Sequence, residues 1–190
     1  MTSTHPTFYY DFIDPLSRLM ARELTLIGGP GADRIVWMPF ELRPPPTPLT
    51  TRDDAELAAR WAEAGSNDHE GRAFSPPLLV PWTRKAHELV LHAAESNRDT
   101  VVRDLVFDAY LLEGRDIGRV DVLVDLARTA GLDTTETKAV LDVDRFEARV
   151  SELRAAATGL GIDTTPSLRV GDRLLRGFHN AAGIRTFLGT

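Results

Sequence analysis

Cysteine is absent from the 190-residue sequence, and this absence excludes several classes of chemistry. Without a thiol the chain cannot exchange disulfides, use a thiolate nucleophile, or hold zinc or an iron–sulfur cluster through cysteine ligands. Histidine is scarce as well: the five residues, at positions 5, 69, 87, 92 and 179, have none of the spacings of a metal-binding motif. The sequence therefore predicts neither a redox-active thiol pair nor a metal site.

The sequence also lacks an excess of positive charge and a long apolar run. Acidic residues outnumber basic ones by 28 to 22, and both signs are interspersed, so no basic surface for nucleic acid is predicted. The longest stretch without a charged residue, 73–83, is too short and too rich in proline to span a bilayer. The first ten residues have neither a cationic start nor a long apolar segment, so no signal peptide is predicted. We expect a cytoplasmic protein without a membrane or nucleic-acid partner.

The first quarter of the chain has the pattern of two strands joined by a helix. Residues 7–12 and 34–42 are rich in apolar and aromatic side chains, as in buried strands. Between them, the apolar spacing of Pro15–Ile27 indicates a helix that ends at the breaker residues 28–30. Two strands connected in this way are expected to lie parallel in one sheet.

The middle of the chain has a helical period instead. Apolar residues recur at spacings of three and four from about residue 53 to 142, which predicts a helical subdomain packed over the end of the first helix, with no strand between residues 85 and 131. Two pairs of acids, Asp133 with Glu136 and Asp144 with Glu147, have the spacing of capping boxes. Each pair predicts the start of a helix.

The last forty residues return to a strand pattern. Two short strands are predicted around the turn Gly171-Asp172, and Asn180 is expected to cap a last helix, Ala181–Leu188. The order of elements is therefore β-α-β, a block of helices, then α-β-β-α. This order predicts an α/β protein with a thioredoxin-like fold that carries a large all-helical insertion.

The motifs together resemble a known family. The segments that carry the resemblance are FYYDFIDPLSRLMARELT, FELRP, GRAFSPPLLVPWTRKAHELVLHAAE, LVFDAYLLEGRDIGRVDVLVDLARTAGLD and GIDTTPSLRVGDRLLRGFHNAAGIRTFL. They are similar to the cytoplasmic DsbA-like, FrnE-type thioredoxin-fold proteins, which are related to 2-hydroxychromene-2-carboxylate isomerases and kappa-class glutathione transferases. We accordingly expect residues 1–48 and 150–190 to form a split thioredoxin-like domain and residues 49–149 an inserted helical subdomain.

The resemblance implies a site at the start of the first helix. Redox members carry Cys-Pro-x-Cys there, whereas this chain has Asp14, Pro15, Leu16 and Ser17, so both cysteines are replaced. In the isomerase and transferase relatives the first position holds a serine that helps to activate glutathione, and this chain has Asp14 instead. Asp14 and Ser17 are the candidate catalytic residues, although Asp14 is also a good helix N-cap whatever the function.

Further residues are candidate ligand contacts. The resemblance implies that Thr165–Pro166 is a cis peptide facing the first helix, with the backbone of Thr165 available to an extended peptide or to glutathione. His87 matches a histidine on a helix that overhangs the site, although a packed, hydrogen-bonded histidine is the simpler interpretation. Trp82 stands where relatives carry a polar residue, so its indole either narrows the cleft or fills space. The predicted substrate contacts are Phe12, Pro15, Trp82, His87, Thr165 and Pro166.

Three functions are compatible with these residues. The first is a DsbA-family protein that has lost redox chemistry and binds a small molecule or an extended peptide. The second is a glutathione-dependent isomerase or transferase acting on a small aromatic substrate, with glutathione as its cofactor. The third is a structural protein without a ligand. Asp14 in place of serine favours the first over the second, and the retained Pro166 argues against the third. The sequence leaves open whether the chain forms a homodimer.

We predict that the purified protein has no disulfide reductase activity, because exchange requires attack by a thiolate and the chain has no thiol. Insulin reduction by dithiothreitol, followed by turbidity, should proceed at the same rate with and without the protein. Acceleration above the dithiothreitol background would contradict this prediction.

Overall fold

The fold is described from a computed structural model that covers residues 5–27, 35–68, 71 and 73–189. In chain order the elements are β1 (Thr7–Tyr10), α1 (Pro15–Ile27), β2 (Val36–Pro39), β3 (Thr50–Thr51), α2 (Ala55–Asn67), β4 (Leu79–Val80), α3 (Arg84–Ala94), α4 (Asp99–Leu111), α5 (Val120–Thr129), α6 (Thr134–Asp142), α7 (Glu147–Gly159), β5 (Ser167–Val170), β6 (Arg173–Arg176) and α8 (Ala181–Leu188). No helix in these ranges is long and apolar enough to cross a membrane.

The main sheet joins the two ends of the chain. Its strand order is β2-β1-β5-β6, with β1 parallel to β2 and antiparallel to β5, and with β5 and β6 forming a hairpin. The N-terminal β-α-β unit and the C-terminal hairpin therefore share one sheet, as the order of elements predicted. β1 lies inside this sheet, between β2 and β5, and α1 follows β1 directly in the chain.

The block of helices α2–α7 lies in sequence between the two halves of the sheet. Only helices and turns occur between residues 85 and 131, which confirms the predicted helical character of this segment. A small two-stranded sheet, β3 with β4, also lies within the insertion and was not predicted. Each of its strands has two residues, which is too short to give an alternating sequence pattern. The domain boundaries near residues 49 and 149 stay a prediction.

The predicted helix starts were right in two cases and wrong in one. Asp133 caps α6 by accepting a hydrogen bond from the N–H of Glu136 (2.8 Å), and Asn180 caps α8 in the same way. The capping box at Asp144 does not form. Asp144 has a positive φ of 53° and pairs with Lys85, and α7 begins three residues later. The predicted breakers at 28–30, and the start of the second strand at Arg34, lie outside the described residues.

The sheet and the helical insertion share one hydrophobic core. Phe107 of α4 is fully buried, and its ring centroid lies 5.8 Å from that of Tyr10 and 4.9 Å from that of Phe12. Tyr10 ends β1, and Phe12 follows it on the way to α1. Aromatic burial therefore fixes the insertion against the end of β1, where the candidate site begins.

The Phe107→Ala variant should lower the free energy of unfolding by about 3–5 kcal/mol, because it removes a buried ring and leaves a cavity. Urea unfolding followed by circular dichroism measures the change. Val101→Ala, an exposed position on the same helix, is the matched control and should stay within about 0.5 kcal/mol of the wild type. Equal effects of the two variants would contradict the shared core.

Candidate functional site

The candidate site centres on Asp14, whose side chain is 0% exposed. One carboxylate oxygen, Oδ1, accepts a hydrogen bond from the N–H of Leu16 (3.3 Å) and lies 3.4 Å from Nη1 of Arg60. The other oxygen, Oδ2, accepts from the hydroxyls of Ser17 (2.7 Å) and Thr165 (2.8 Å). Asp14 is therefore an N-cap of α1 and also a link between α1, α2 and the loop before β5.

The environment of Asp14 changes its acidity. Burial raises the pKa of Asp14 from 3.8 to about 6, and the Arg60 guanidinium and the hydroxyls of Ser17 and Thr165 lower it in part. The carboxyl group therefore titrates close to neutral pH, where it can accept a proton or remain charged beside Arg60.

Arg60 is a site residue that the sequence did not indicate. It lies on α2, and its side chain is 15% exposed. Nη1 donates to the carbonyl oxygen of Thr165 (2.7 Å), and Nη2 donates to the hydroxyl of Thr164 (2.9 Å). The Thr165 carbonyl that was predicted to be available to a ligand is thus already bonded within the chain. No local motif marks Arg60, because the two partners are about a hundred residues apart.

The Thr165–Pro166 peptide bond is cis, as the resemblance implied, and Thr165 contacts Asp14. Pro45–Pro46 is also cis, which was not predicted. Pro166 is buried, and its carbonyl accepts a hydrogen bond from the N–H of Gly177 beyond β6 (2.9 Å). The loop before β5 and the start of α1 therefore meet as the resemblance implied.

Four other candidates are buried around this centre. Ser17 bonds to Asp14, and Phe12 and Pro15 pack in the core. His87 is fully buried too, with Nε2 3.3 Å from Oδ1 of Asp11 and its ring 4.8 Å from that of Phe12. His87 is therefore a packed, hydrogen-bonded histidine, which is the simpler of the two interpretations given above. The roles of these residues toward a ligand stay predictions.

Trp82 lies away from Asp14 and is partly exposed. Its Nε1 donates to the carbonyl oxygen of Thr47 (2.9 Å), which fixes the indole outside the buried centre. It lines a separate cavity of about 340 Å³ with Leu49 and Leu79. The structure therefore brings Asp14 and Thr165 together but places Trp82 elsewhere.

A cleft of about 570 Å³ lies beside the buried centre and will be called the arginine cleft. Its lining residues come from the segment after β2, from α2, from the loop before β5 and from the end of β6: Leu42, Arg43, Glu56, Leu57, Arg60, Asp163, Thr164 and Arg176. Arg60 and Thr164 belong both to this cleft and to the hydrogen bonds around Asp14. The sequence did not indicate the cleft, because its residues come from four distant segments.

The polar groups of the arginine cleft are guanidinium, carboxylate and hydroxyl groups. This set is suited to binding a polar or anionic molecule by hydrogen bonds and charge. Over the ranges described above, no three histidine, aspartate or glutamate side chains come together as a group that could hold a metal ion.

Comparison with known sequences matches this chain to a protein family and to a curated relative. The DSBA-like thioredoxin domain matches residues 7–189. An uncharacterised protein, YwbO from Bacillus subtilis (strain 168), is 31% identical over 159 residues, which cover 80% of this chain and 78% of YwbO. The resemblance proposed from the sequence is therefore confirmed.

Solved structures of lower identity have the same fold. A probable DsbA oxidoreductase from Streptomyces coelicolor gives a TM-score of 0.81 at 19% identity, covering 98% of this chain and 88% of that protein. The cytosolic disulfide reductase DsbM from Pseudomonas aeruginosa, solved with GSH, gives a TM-score of 0.67 at 15% identity, covering 97% of each chain. These similarities confirm the thioredoxin-like fold.

Asp14→Asn should change the pH dependence of stability. Because the folded pKa of about 6 lies above the ordinary 3.8, the stability that Asp14 contributes is complete below about pH 4 and is lost as the pH rises through about 6. The full loss corresponds to about 3 kcal/mol. We expect the unfolding free energy of the wild type, relative to that of Asp14→Asn, to fall by up to this amount between acidic and neutral pH.

Urea unfolding at a series of pH values measures this difference. Val101→Ala, which changes an exposed and non-titrating side chain, is the control and should leave the pH dependence of the wild type unchanged. An Asp14→Asn variant whose pH dependence parallels that of the wild type would show that Asp14 does not titrate in this range.

Proposed function

Because the chain belongs to the DsbA-like thioredoxin domain family and has no cysteine, we propose that it binds a small molecule or an extended peptide instead of exchanging disulfides. The observation that carries this proposal is the arginine cleft of about 570 Å³, which opens directly beside Thr164 and the cis peptide. A cleft of this volume is in the range of about 300–1,000 Å³ that small-molecule sites occupy.

The bonding around Asp14 supports binding over thiol-type chemistry. The Asp14 carboxylate already accepts from one backbone N–H and two hydroxyls and lies beside Arg60, so its hydrogen-bonding capacity is used within the chain. A serine nucleophile needs a base that accepts its proton and is in turn oriented by a third group. Ser17 has Asp14 at 2.7 Å, but both side chains are fully buried. A ligand is therefore expected to contact the cleft side of Arg60 and Thr164.

A glutathione-dependent isomerase or transferase is the second candidate. It is supported by DsbM, which has the same fold and was solved with GSH. In this function Ser17 and Asp14, both fully buried in this structure, would have to become accessible to the glutathione thiol below the helix that carries His87. Glutathione then binds the Thr165 carbonyl only if the Arg60 side chain releases it, since Arg60 holds that oxygen at 2.7 Å. The second candidate thus requires a movement of Arg60 that the first does not.

Thermal unfolding and titration calorimetry with reduced glutathione, S-methylglutathione and a panel of tetrapeptides test the proposal. A ligand at about 100 times its Kd raises the unfolding free energy by about 2.7 kcal/mol. Thr164→Tyr, which places a phenol ring at the cleft wall, should weaken binding by about tenfold or more. Thr158→Tyr, on the exposed face of α7, is the matched control and should bind as the wild type does.

Each outcome bears on one of the candidates. Binding of any panel member that Thr164→Tyr weakens supports the binding function. Turnover of glutathione with an electrophilic aromatic substrate, lost in Asp14→Asn, favours the second candidate instead. If no panel member at millimolar concentration gives a heat of binding or a shift in the unfolding temperature, both candidate functions are contradicted.

A further inference from the structure

We propose that the arginine cleft recognises a monoanionic carboxylate group that carries an apolar substituent, and that Arg43 is the residue that binds the carboxylate. This inference rests on the proposed function, since it names the ligand chemistry of the same cleft. It concerns a residue that lies outside the start of α1 and outside the cis peptide.

Arg43 is the cation of the cleft that is held in place without being neutralised. It is partly buried, and its Nη2 donates to the carbonyl oxygen of Pro48 (3.1 Å), which fixes the guanidinium. Among the described residues it has no carboxylate partner, and its Nε and Nη1 groups donate no hydrogen bond. Nη2 carries a second hydrogen, which together with the unused N–H of either Nε or Nη1 forms the planar fork that binds a carboxylate through two parallel hydrogen bonds.

The other two arginines of the cleft are already paired. Arg176 donates to Oδ1 of Asp163 (3.1 Å), and Arg60 lies 3.4 Å from Oε1 of Glu56. These pairs leave Arg43 as the cation available to a ligand. The same ion pairs hold the Arg60 and Arg176 side chains in position at the wall of the cleft.

The charge of the cleft selects a monoanion. Arg60 lies beside both Glu56 and Asp14, and Arg176 is paired with Asp163, so Arg43 is the lining cation that no carboxylate of the described residues balances. A singly charged anion would neutralise the charge of Arg43. A dianion such as phosphate adds a further negative charge close to Glu56 and Asp163, and this repulsion opposes binding.

The remaining lining residues indicate what the carboxylate is attached to. Leu42 and Leu57 form the apolar part of the wall, and Thr164 offers a hydroxyl between the polar and apolar parts. An apolar group next to the carboxylate therefore gains contact area that a bare acid such as acetate does not have. Two sources share this chemistry: a free organic acid and the C-terminus of a peptide that ends in an apolar residue.

Pairs of probes that differ only in the anionic group test the inference. Titration calorimetry compares 4-phenylbutyrate with 4-phenylbutyramide, and acetyl-Ala-Ala-Leu bearing a free C-terminus with the same peptide bearing a C-terminal amide. Each acid should bind about tenfold or more tightly than its amide, since a hydrogen bond to a charged group contributes more than one to a neutral group. The pair with the larger difference identifies the source. Binding of the acids should weaken as salt is raised.

Two variants test whether Arg43 binds the carboxylate of the ligand. Arg43→Gln should reduce the affinity for the acid about tenfold and leave that for the amide unchanged, so that the two become equal. Arg149→Gln, on the exposed face of α7, is the matched control and should bind both probes as the wild type does. Circular dichroism establishes that both variants fold. If Arg43→Gln does not fold, the acid and amide titrations are repeated with Thr164→Tyr. Comparison with the wild type then decides whether the carboxylate binds in the arginine cleft.

Three results would overturn the inference. Equal affinity of acid and amide for the wild type, tighter binding of inorganic phosphate than of 4-phenylbutyrate, or an unchanged acid preference in a folded Arg43→Gln variant each contradicts carboxylate recognition by Arg43. In these cases glutathione or tetrapeptide binding that Thr164→Tyr weakens still supports the proposed function. If no probe or panel member binds, both proposals fail together.

Discussion

The arrangement of the whole site depends on one buried carboxylate, that of Asp11. It is 0% exposed and accepts hydrogen bonds from the N–H groups of Phe12 and Leu42, both at 2.7 Å, and Nε2 of His87 lies 3.3 Å from it. These contacts join the end of β1, the segment after β2 and helix α3 of the insertion. Loss of the carboxylate leaves two backbone donors without a partner, which costs about 1–3 kcal/mol for each when buried. The position of α1, and with it Asp14, follows from this junction.

The second constraint is the bonding of Asp14 with Arg60. A buried charge is tolerated only where it is paired and hydrogen-bonded, and Asp14 has a cation and several donors. Arg60 also binds Thr164 and Thr165, so the position at which the family resemblance implies a cysteine is a structural junction in this chain. The proposed ligand surface is instead the arginine cleft, with Arg43 and the apolar wall formed by Leu42 and Leu57.

The sequence predicted the fold well because the patterns that mark its helices and its main strands are local in the chain. The bounds of α1 were right to the residue, since Pro15 and the apolar spacing mark both the start and the buried face. The site was predicted only in part. Asp14 and Thr165 were found through the family resemblance, but Arg60 and Arg43 were not. The partners of Arg60 are about a hundred residues away, and Arg43 joins the other cleft residues only in the folded chain. The failed capping box at Asp144 has the same cause: Lys85 of α3 pairs with that carboxylate.

The bond between Arg60 and the Thr165 carbonyl would limit any redox site built at positions 14 and 17. A return of cysteine at positions 14 and 17 would remove the carboxylate and leave the Arg60 guanidinium beside a new thiol. A neighbouring arginine stabilises the thiolate and lowers the pKa of its thiol. The same guanidinium would still occupy the carbonyl next to the cis peptide. A thiol pair at positions 14 and 17 would therefore lie beside a carbonyl that is already bonded to Arg60 and is not free to bind an extended peptide.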